Sequence, residues 1–247
     1  MKQLLILISC IGLSFLAVGQ DSTFDAGNKA YADGDFDLAI EKYHQIIGTD
    51  AMSANIFYNL GNAYFQKLEL GKSIWAFEKA IKIQPDHSDA RFNLSFANAK
   101  TVDEIDVTGS PVQAWLKINL YRFGLNFWST ISIIMSILLA VVLYFFFTTQ
   151  QAKIKNLTMS SGFVVLALLV ISIVLASLQK SQLMKVDSGI IITEVSTVKT
   201  SPNSEAETAF ELHDGSKVKI LRRDNGWTEI DVNGNVGWID KAELWEI

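Results

Sequence analysis

The sequence predicts a multidomain chain: an α-helical repeat solenoid, a two-span helical hairpin and a small all-β barrel. Three observations predict it. A Gly-Asn pair recurs thirty-four residues on, as Gly27-Asn28 and Gly61-Asn62. Uninterrupted apolar runs occupy Leu4 to Val18, Phe127 to Phe147 and Gly162 to Leu178. From Gly189 onward the hydrophobic period falls to two, with Asp-Gly and Asn-Gly dipeptides between the runs. Of the 247 residues 49% are hydrophobic and only 19% charged, and the apolar surplus sits in those discrete runs.

The first apolar run follows Lys2, is short for a membrane span and ends in Ala17-Val18-Gly19, a small-x-small cleavage pattern. Residues 1–19 are therefore expected to be a signal peptide. Cleavage before Gln20 would remove Cys10, the only cysteine, and with it any disulfide or thiol chemistry. Leu7-Ile8-Ser9-Cys10 resembles a lipobox, but the apolar stretch before it is very short and the stretch after it stays apolar through Val18.

The positions around the repeated Gly-Asn pair share the period. Gly34, Phe36, Ala39, Ile40, Tyr43 and Ile46 in the first copy are followed by Phe57, Leu60, Gly61, Tyr64, Phe77, Ala80 and Pro85 in the second. Small residues let paired helices touch, aromatics fill the space one turn away, and Pro85 stops the second helix. Residues 20–105 resemble the tetratricopeptide family, with repeats at 20–53 and 54–87 and a capping helix at 88–105 that carries Phe92, Leu94, Phe96 and Ala97. The resemblance implies a right-handed helical stack whose concave face binds an extended peptide. This chain departs from the family at Lys72-Ser73, where alanine is usual, and at Leu68, where glycine commonly makes the turn.

On that projection the partner-binding groove is lined by Asn28, Tyr31, Asn55, Tyr58, Asn62, Phe65 and Phe92, with Phe24, Asp89 and Phe96 beside them. An asparagine pairs with peptide backbone through both its donor and its acceptor, and aromatic walls add contact area at small entropic cost. Phe24, Asp89 and Asn93 stand where repeats that clamp a C-terminal carboxylate carry lysine or arginine, so carboxylate clamping is not expected. The competing role for each aromatic is packing within the solenoid.

Residues 106–126 read as a linker that can hold an interfacial helix, with Ser110 as cap, Pro111 in the first turn and Trp115, Leu116, Leu120, Tyr121 and Phe123 at headgroup depth. A plain amphipathic helix is the alternative. Residues 127–147 cover about 30 Å at ~1.5 Å per residue, enough to cross a bilayer core. Residues 162–178 sit at the short limit for a second span, which Ser160, Ser161 and Gln179 can extend. Ser132, Ser136 and Ala140 in the first span and Ser172 and Ala176 in the second are small residues at four-residue steps that permit close helix contact. The connector 148–161 holds Lys153 and Lys155 and no acid, and reads as a short cytoplasmic loop. With the signal peptide, this places both soluble parts on the periplasmic side of a bacterial inner membrane. Neither span carries an Asp, Glu, Lys, Arg or His, so the hairpin reads as an anchor and not as a transport path.

After Gly189 come Ile190-Ile191-Ile192, Val195, Val198, then Val218 to Leu221, Trp227 to Val232 and Val236 to Ile239, with Asp214-Gly215, Asn225-Gly226 and Asn233-Gly234 expected to make tight hairpins. The paired Gly-Trp steps Gly226-Trp227 and Gly237-Trp238 resemble those of bacterial SH3-like domains over residues 187–247. The resemblance implies peptide or cell-wall binding, with Trp227 and Trp238 as the surface candidates and barrel packing as the rival role for at least one of them.

A formal net charge of -5 without a basic stripe gives no basis for nucleic-acid binding. His44, His87 and His213 have neither metal-ligand nor triad spacing and are expected at the surface, while Glu41, Glu78 and Glu194 have no partner that suggests acid-base work. No catalytic residue, metal site or cofactor is expected. Signal peptide, repeats, aromatic linker, two-span hairpin and SH3-like barrel, in that order, resemble along the whole chain the BatE proteins of the Bacteroidetes aerotolerance operon. That resemblance implies a periplasm-facing scaffold working with von Willebrand A-domain membrane proteins and, indirectly, a MoxR-type AAA+ ATPase in stress tolerance. The expected function is a non-enzymatic adaptor; the alternative is a cell-wall sensor whose barrel binds peptidoglycan.

Overall fold

A computed structural model describes residues 22–48, 53–103, 123 and 125–247. The expected signal peptide, Cys10 included, and the linker positions from Ser110 to Tyr121 lie outside the described residues. The chain forms two compact units, Met1–Ala51 and Met52–Ile247.

In the first unit α1 (Ser22–Ala32) and α2 (Phe36–Ile47) form a helical hairpin. Gly34 turns the chain with φ 82°, and Asp35 caps α2 by accepting from the Leu38 N–H at 3.0 Å. Asp33-Gly34-Asp35 is thus an inter-helix turn. Ala39, Tyr43 and Ile46 are buried, and Gly27 admits the Tyr43 ring: a Cβ there would stand 2.8 Å from Cε1.

The second unit opens on the same hairpin. Helices α3 (Ala54–Gln66) and α4 (Leu70–Ile83) pack around buried Phe57, Leu60, Ile74 and Phe77. Both departures from the repeat pattern have a physical account. Ser73 is fully buried and its hydroxyl donates to the Gly61 carbonyl at 2.9 Å, so a small polar residue fits without an orphaned group. Leu68 takes the glycine conformation, φ 63°, with its side chain 84% exposed. Helix α5 (Ser88–Asn98) follows, capped by His87, whose Nδ1 accepts from the Ala90 N–H at 3.2 Å.

Helices α6 (Leu125–Thr148) and α7 (Ala152–Met184) lie against each other, joined by a hydrogen bond of 2.9 Å between the Ser132 and Ser172 hydroxyls. Each contains a stretch long and apolar enough to cross a membrane, Phe127–Thr148 and Ala152–Ser181. Large apolar side chains such as Ile133, Phe147 and Phe163 stand exposed, a surface that lipid tolerates and water does not. Helix α7 begins ten residues ahead of the expected start at 162, because the connector contains no glycine or proline before Gly162. Lys153 and Lys155 therefore stand in its first turns and not in a loop.

The barrel region comprises β1 (Ser188–Ile191), β2 (Val195–Lys199), β3 (Thr208–His213), β4 (Lys217–Asp224), β5 (Trp227–Val232), β6 (Asn235–Asp240) and β7 (Leu244–Glu246). They make one antiparallel sheet in the order β3-β2-β6-β5-β4-β1-β7. All seven strands contribute to a single core, Ile191, Val198, Leu212, Val218, Ile220, Ile230, Val232, Ile239 and Leu244, so the sheet curls around it. Asn225-Gly226 and Asn233-Gly234 make two-residue hairpins, with positive φ at both positions of each. Asp214-Gly215 does not: β3 and β4 are not neighbours in the sheet, and the turn reaches toward the repeat instead.

Candidate binding surfaces

The expected groove residues fall in both units. In the first, Asn28 is half-buried and accepts from the Tyr43 hydroxyl at 2.9 Å, and Tyr31 meets Phe36 edge-on at 5.4 Å. In the second, Asn55 is exposed on the first turn of α3. Tyr58 is half-buried between Phe77 and His87, 6.1 and 4.9 Å from ring to ring. One turn on, Asn62 accepts from the Asn93 amide at 2.7 Å, which ties α3 to α5. Phe65 carries the Lys100 ammonium over its ring at 5.4 Å. Phe92 and Phe96 pair at 5.1 Å on the cap and are 62% and 55% exposed.

On the barrel, Trp227 is half-buried at the start of β5. Trp238 is only 6% exposed, and the Arg222 guanidinium covers its ring at 4.8 Å while pairing with Glu229 at 2.8 Å. Trp238 thus packs the barrel wall and shows solvent little of its ring.

The most elaborate arrangement in the second unit joins repeat and barrel, and the sequence reading missed it. Trp75 Nε1 donates to the Glu246 carbonyl at 2.9 Å, and its ring stands edge-on to Trp245 at 4.8 Å. Tyr64 also meets Trp245, and Lys72 lies over both rings at 5.6 and 5.7 Å. Lys72 and Lys67 hold Glu69 at 2.7 and 3.3 Å; burial would push the Glu69 carboxyl up, but these two ammonium groups bring it below its ordinary range. The Gly71 N–H donates to Asp214 at 3.0 Å, and burial raises that carboxyl despite the bond. A Cβ on Gly71 would collide with Asp214 and the Ile191 carbonyl, so only glycine allows the turn this close. Glu78 pairs with Lys217 at 2.6 Å, an ion pair across the same junction.

His213, expected as a lone surface residue, is held by Asp103 just after the cap. The Asp103 carboxylate accepts from the His213 N–H at 2.8 Å and from the Ser216 hydroxyl, and its other oxygen meets His213 Nδ1 at 3.0 Å. Burial opposes ionisation of Asp103, but these donors outweigh it and lower its pKa. Serine and histidine bind the same carboxylate here instead of forming a relay, so the trio is a clasp and not a nucleophile with its base. A sequence signal for this interface did exist: Trp75 and Trp245 are large aromatics that neither the repeat period nor the strand alternation requires.

Residues 27–67 match the family model described as TPR repeat. Residues 194–244 match the bacterial SH3 domain. Regions of these two kinds point to protein–protein or cell-wall interaction, and are typically non-catalytic. No curated protein matches the chain. Among solved structures, NlpC2 from Trichomonas vaginalis is similar at 22% identity and a TM-score of 0.23, over 26% of this chain and 26% of that one. NlpC1 from the same organism is similar at 24% identity and a TM-score of 0.24, over 26% of this chain and 24% of that one. The chain thus spans about a quarter of the length of each.

Proposed function

We propose that the chain is a non-enzymatic, membrane-anchored adaptor whose repeats bind an extended segment of a partner protein. The observation that carries this reading is the aromatic pair Phe92–Phe96, more than half exposed on the cap beside the Asn62–Asn93 bond. A buried core has no use for two exposed phenylalanines, while a bound peptide covers them and pairs its backbone with the amides. The hydrogen bonds, ion pairs and ring contacts between repeat and barrel described above use Tyr64, Gly71, Lys72, Trp75 and Glu78, so they leave Asn55, Asn62 and Phe92 accessible to a partner. Two weak sites on one anchored chain, groove and barrel, would gain from effective concentration.

The BatE resemblance supplies the finer form of the proposal. The groove residues Asn28, Tyr31, Asn55, Tyr58, Asn62, Phe65 and Phe92 face the periplasm, the partners are von Willebrand A-domain proteins of the inner membrane, and a MoxR-type ATPase acts indirectly in stress tolerance. A photo-reactive residue at Phe92, with crosslinking in intact cells, tests it. Defined adducts to such proteins, lost on Asn62→Ala and absent from a control probe at Leu68, are the expected outcome. Wall fragments trapped at Trp227, with nothing specific at Phe92, would replace the adaptor by the cell-wall sensor.

A further inference from the structure

Helix α5 repeats the first helix of the hairpin before it: Leu94 and Ala97 lie thirty-four residues after Leu60 and Ala63. Leu60 and Ala63 are fully buried where α3 packs on α4. Among the described residues no second repeat helix follows α5 to cover its own pair. Ala97 is fully buried all the same and Leu94 half-buried, in an apolar cluster with Ile74 and Phe77 of α4 and with Ile190 and Ile247 of the barrel region.

The barrel edge that reaches them is packed on both faces. The register of β1 and β7 sets Ile191 opposite Leu244 and Ile190 opposite Trp245. Alternation along the strands sends the first pair into the barrel core and the second to the repeat, where Trp245 meets Trp75 and Tyr64. A solvated sheet edge has no use for that unbroken apolar run, while a strand pair held between two bodies requires it.

The repeat surface under this edge is altered to match. Trp75 stands thirty-four residues after Glu41 and Gly71 thirty-four after Asp37, and both acids are exposed on α2. On α4 an indole and a glycine replace them, and the glycine leaves room for the Ile191 carbonyl. The 213–216 turn is wedged at the exit of the cap: a Cβ on Gly215 would stand 2.7 Å from Thr101 and 2.8 Å from Ile74, and Asp103 holds His213 and Ser216. Barrel residues thus hold α5 on its apolar side and at its end. On the far side of the helix stand the exposed Phe92 and Phe96, with Asn93 bonded to Asn62 between the two faces.

We propose that the β1–β7 edge takes the place of the second helix of a third repeat. Ile190 and Trp245 are its positioning residues, which keep α5 in the orientation that presents Phe92, Asn93 and Phe96. That the presented surface is a binding groove rests on the adaptor reading; the hold on α5 does not. The barrel is then a structural half of the groove, and its β1–β7 edge is closed to any ligand of its own.

Hydrogen–deuterium exchange of the full chain in detergent, resolved by peptide mass spectrometry, tests this. Ile190→Ser removes apolar contact from the face turned to the repeat, and Trp245→Ser does the same from the partner strand. In each variant the amides of residues 90–98 should exchange roughly tenfold faster, while α1, α2 and strands β4, β5 and β6 keep the protection of the wild-type chain. Ile190→Val should leave the cap protected. Trp245 lies outside the barrel core, so its variant carries the test if Ile190→Ser fails to fold. Unchanged exchange over the cap in a folded variant would overturn the proposal. An equal rise in β4, β5 and β6 in both variants would overturn it too, because the edge would then be serving the barrel's own core. A cap that responds as expected, with no crosslink formed at Phe92, would instead sink the adaptor reading and leave the hold on α5 standing.

Discussion

The ring of Phe77 lies against Gly61 so closely that a Cβ on the glycine would stand 2.6 Å from Cε1. Thirty-four residues earlier, Tyr43 lies on Gly27 in the same way. The repeat is thus a steric relationship before it is a pattern of letters: a missing Cβ on one helix is filled by an aromatic ring from the next. Both rings are buried, at 0% and 1% exposure, and have no room to retreat. Gly61→Val should destabilise the chain by about 3 kcal/mol through overpacking, with little helix-propensity gain to offset it. Thermal unfolding would check this, and an unchanged midpoint would mean that Phe77 can move aside.

Leu68 predicts a change of opposite sign. It holds φ 63° where Gly34 holds 82°, and its side chain is 84% exposed. A β-carbon in the left-handed region costs roughly 1–2 kcal/mol, while glycine adds unfolded-state entropy that returns part of it. Leu68→Gly should therefore stabilise the chain by about 0.5–1 kcal/mol, read as a higher thermal midpoint. A lower midpoint would show that the leucine side chain makes a contact worth more than the strain.

Much of this architecture was legible because it is local or periodic. The inter-helix turns, the Asn-Gly hairpins and the small-residue faces of the two apolar helices follow from rules that operate within a few residues or within one helix face. What local rules leave unpaired lies between elements remote in sequence. No period links Trp75 to Trp245, and nothing local marks Asp103 as the acceptor for His213 and Ser216. The groove was legible only in part: Asn62 lies on the first helix of its repeat, but its bond to Asn93 depends on how the cap packs. Asp214-Gly215 carries the same kind of dipeptide as the two hairpins, yet its carboxylate serves Gly71.

The contact of Trp75 with Trp245 can be tested as a coupling. Trp75→Phe keeps most of the ring but leaves the Glu246 carbonyl without its donor, at a cost of about 1 kcal/mol. A double-mutant cycle of Trp75→Leu with Trp245→Leu should give a coupling energy of about 0.5–1.5 kcal/mol beyond area burial. Denaturant unfolding supplies the four free energies. A coupling near zero would mean that repeat and barrel do not hold together in solution.

Acid should open the same interface at Asp103. Its folded pKa is depressed, so the stability it contributes is present above the ordinary carboxylate value near 4 and is lost as pH falls through the lower folded value. Glu69 and Asp187 are depressed as well and act in the same direction. Asp214 runs the other way: its raised pKa makes its charged form a burden that protonation relieves, so it partly offsets the loss. Asp103→Ala should cost about 2 kcal/mol at neutral pH, by leaving the His213 N–H and the Ser216 hydroxyl without their acceptor. That difference from the wild-type chain should shrink once the pH falls below about 4. Unfolding midpoints of the two chains across this range decide it. A gap that persists undiminished at low pH would show that the clasp holds by packing and not through the carboxylate charge.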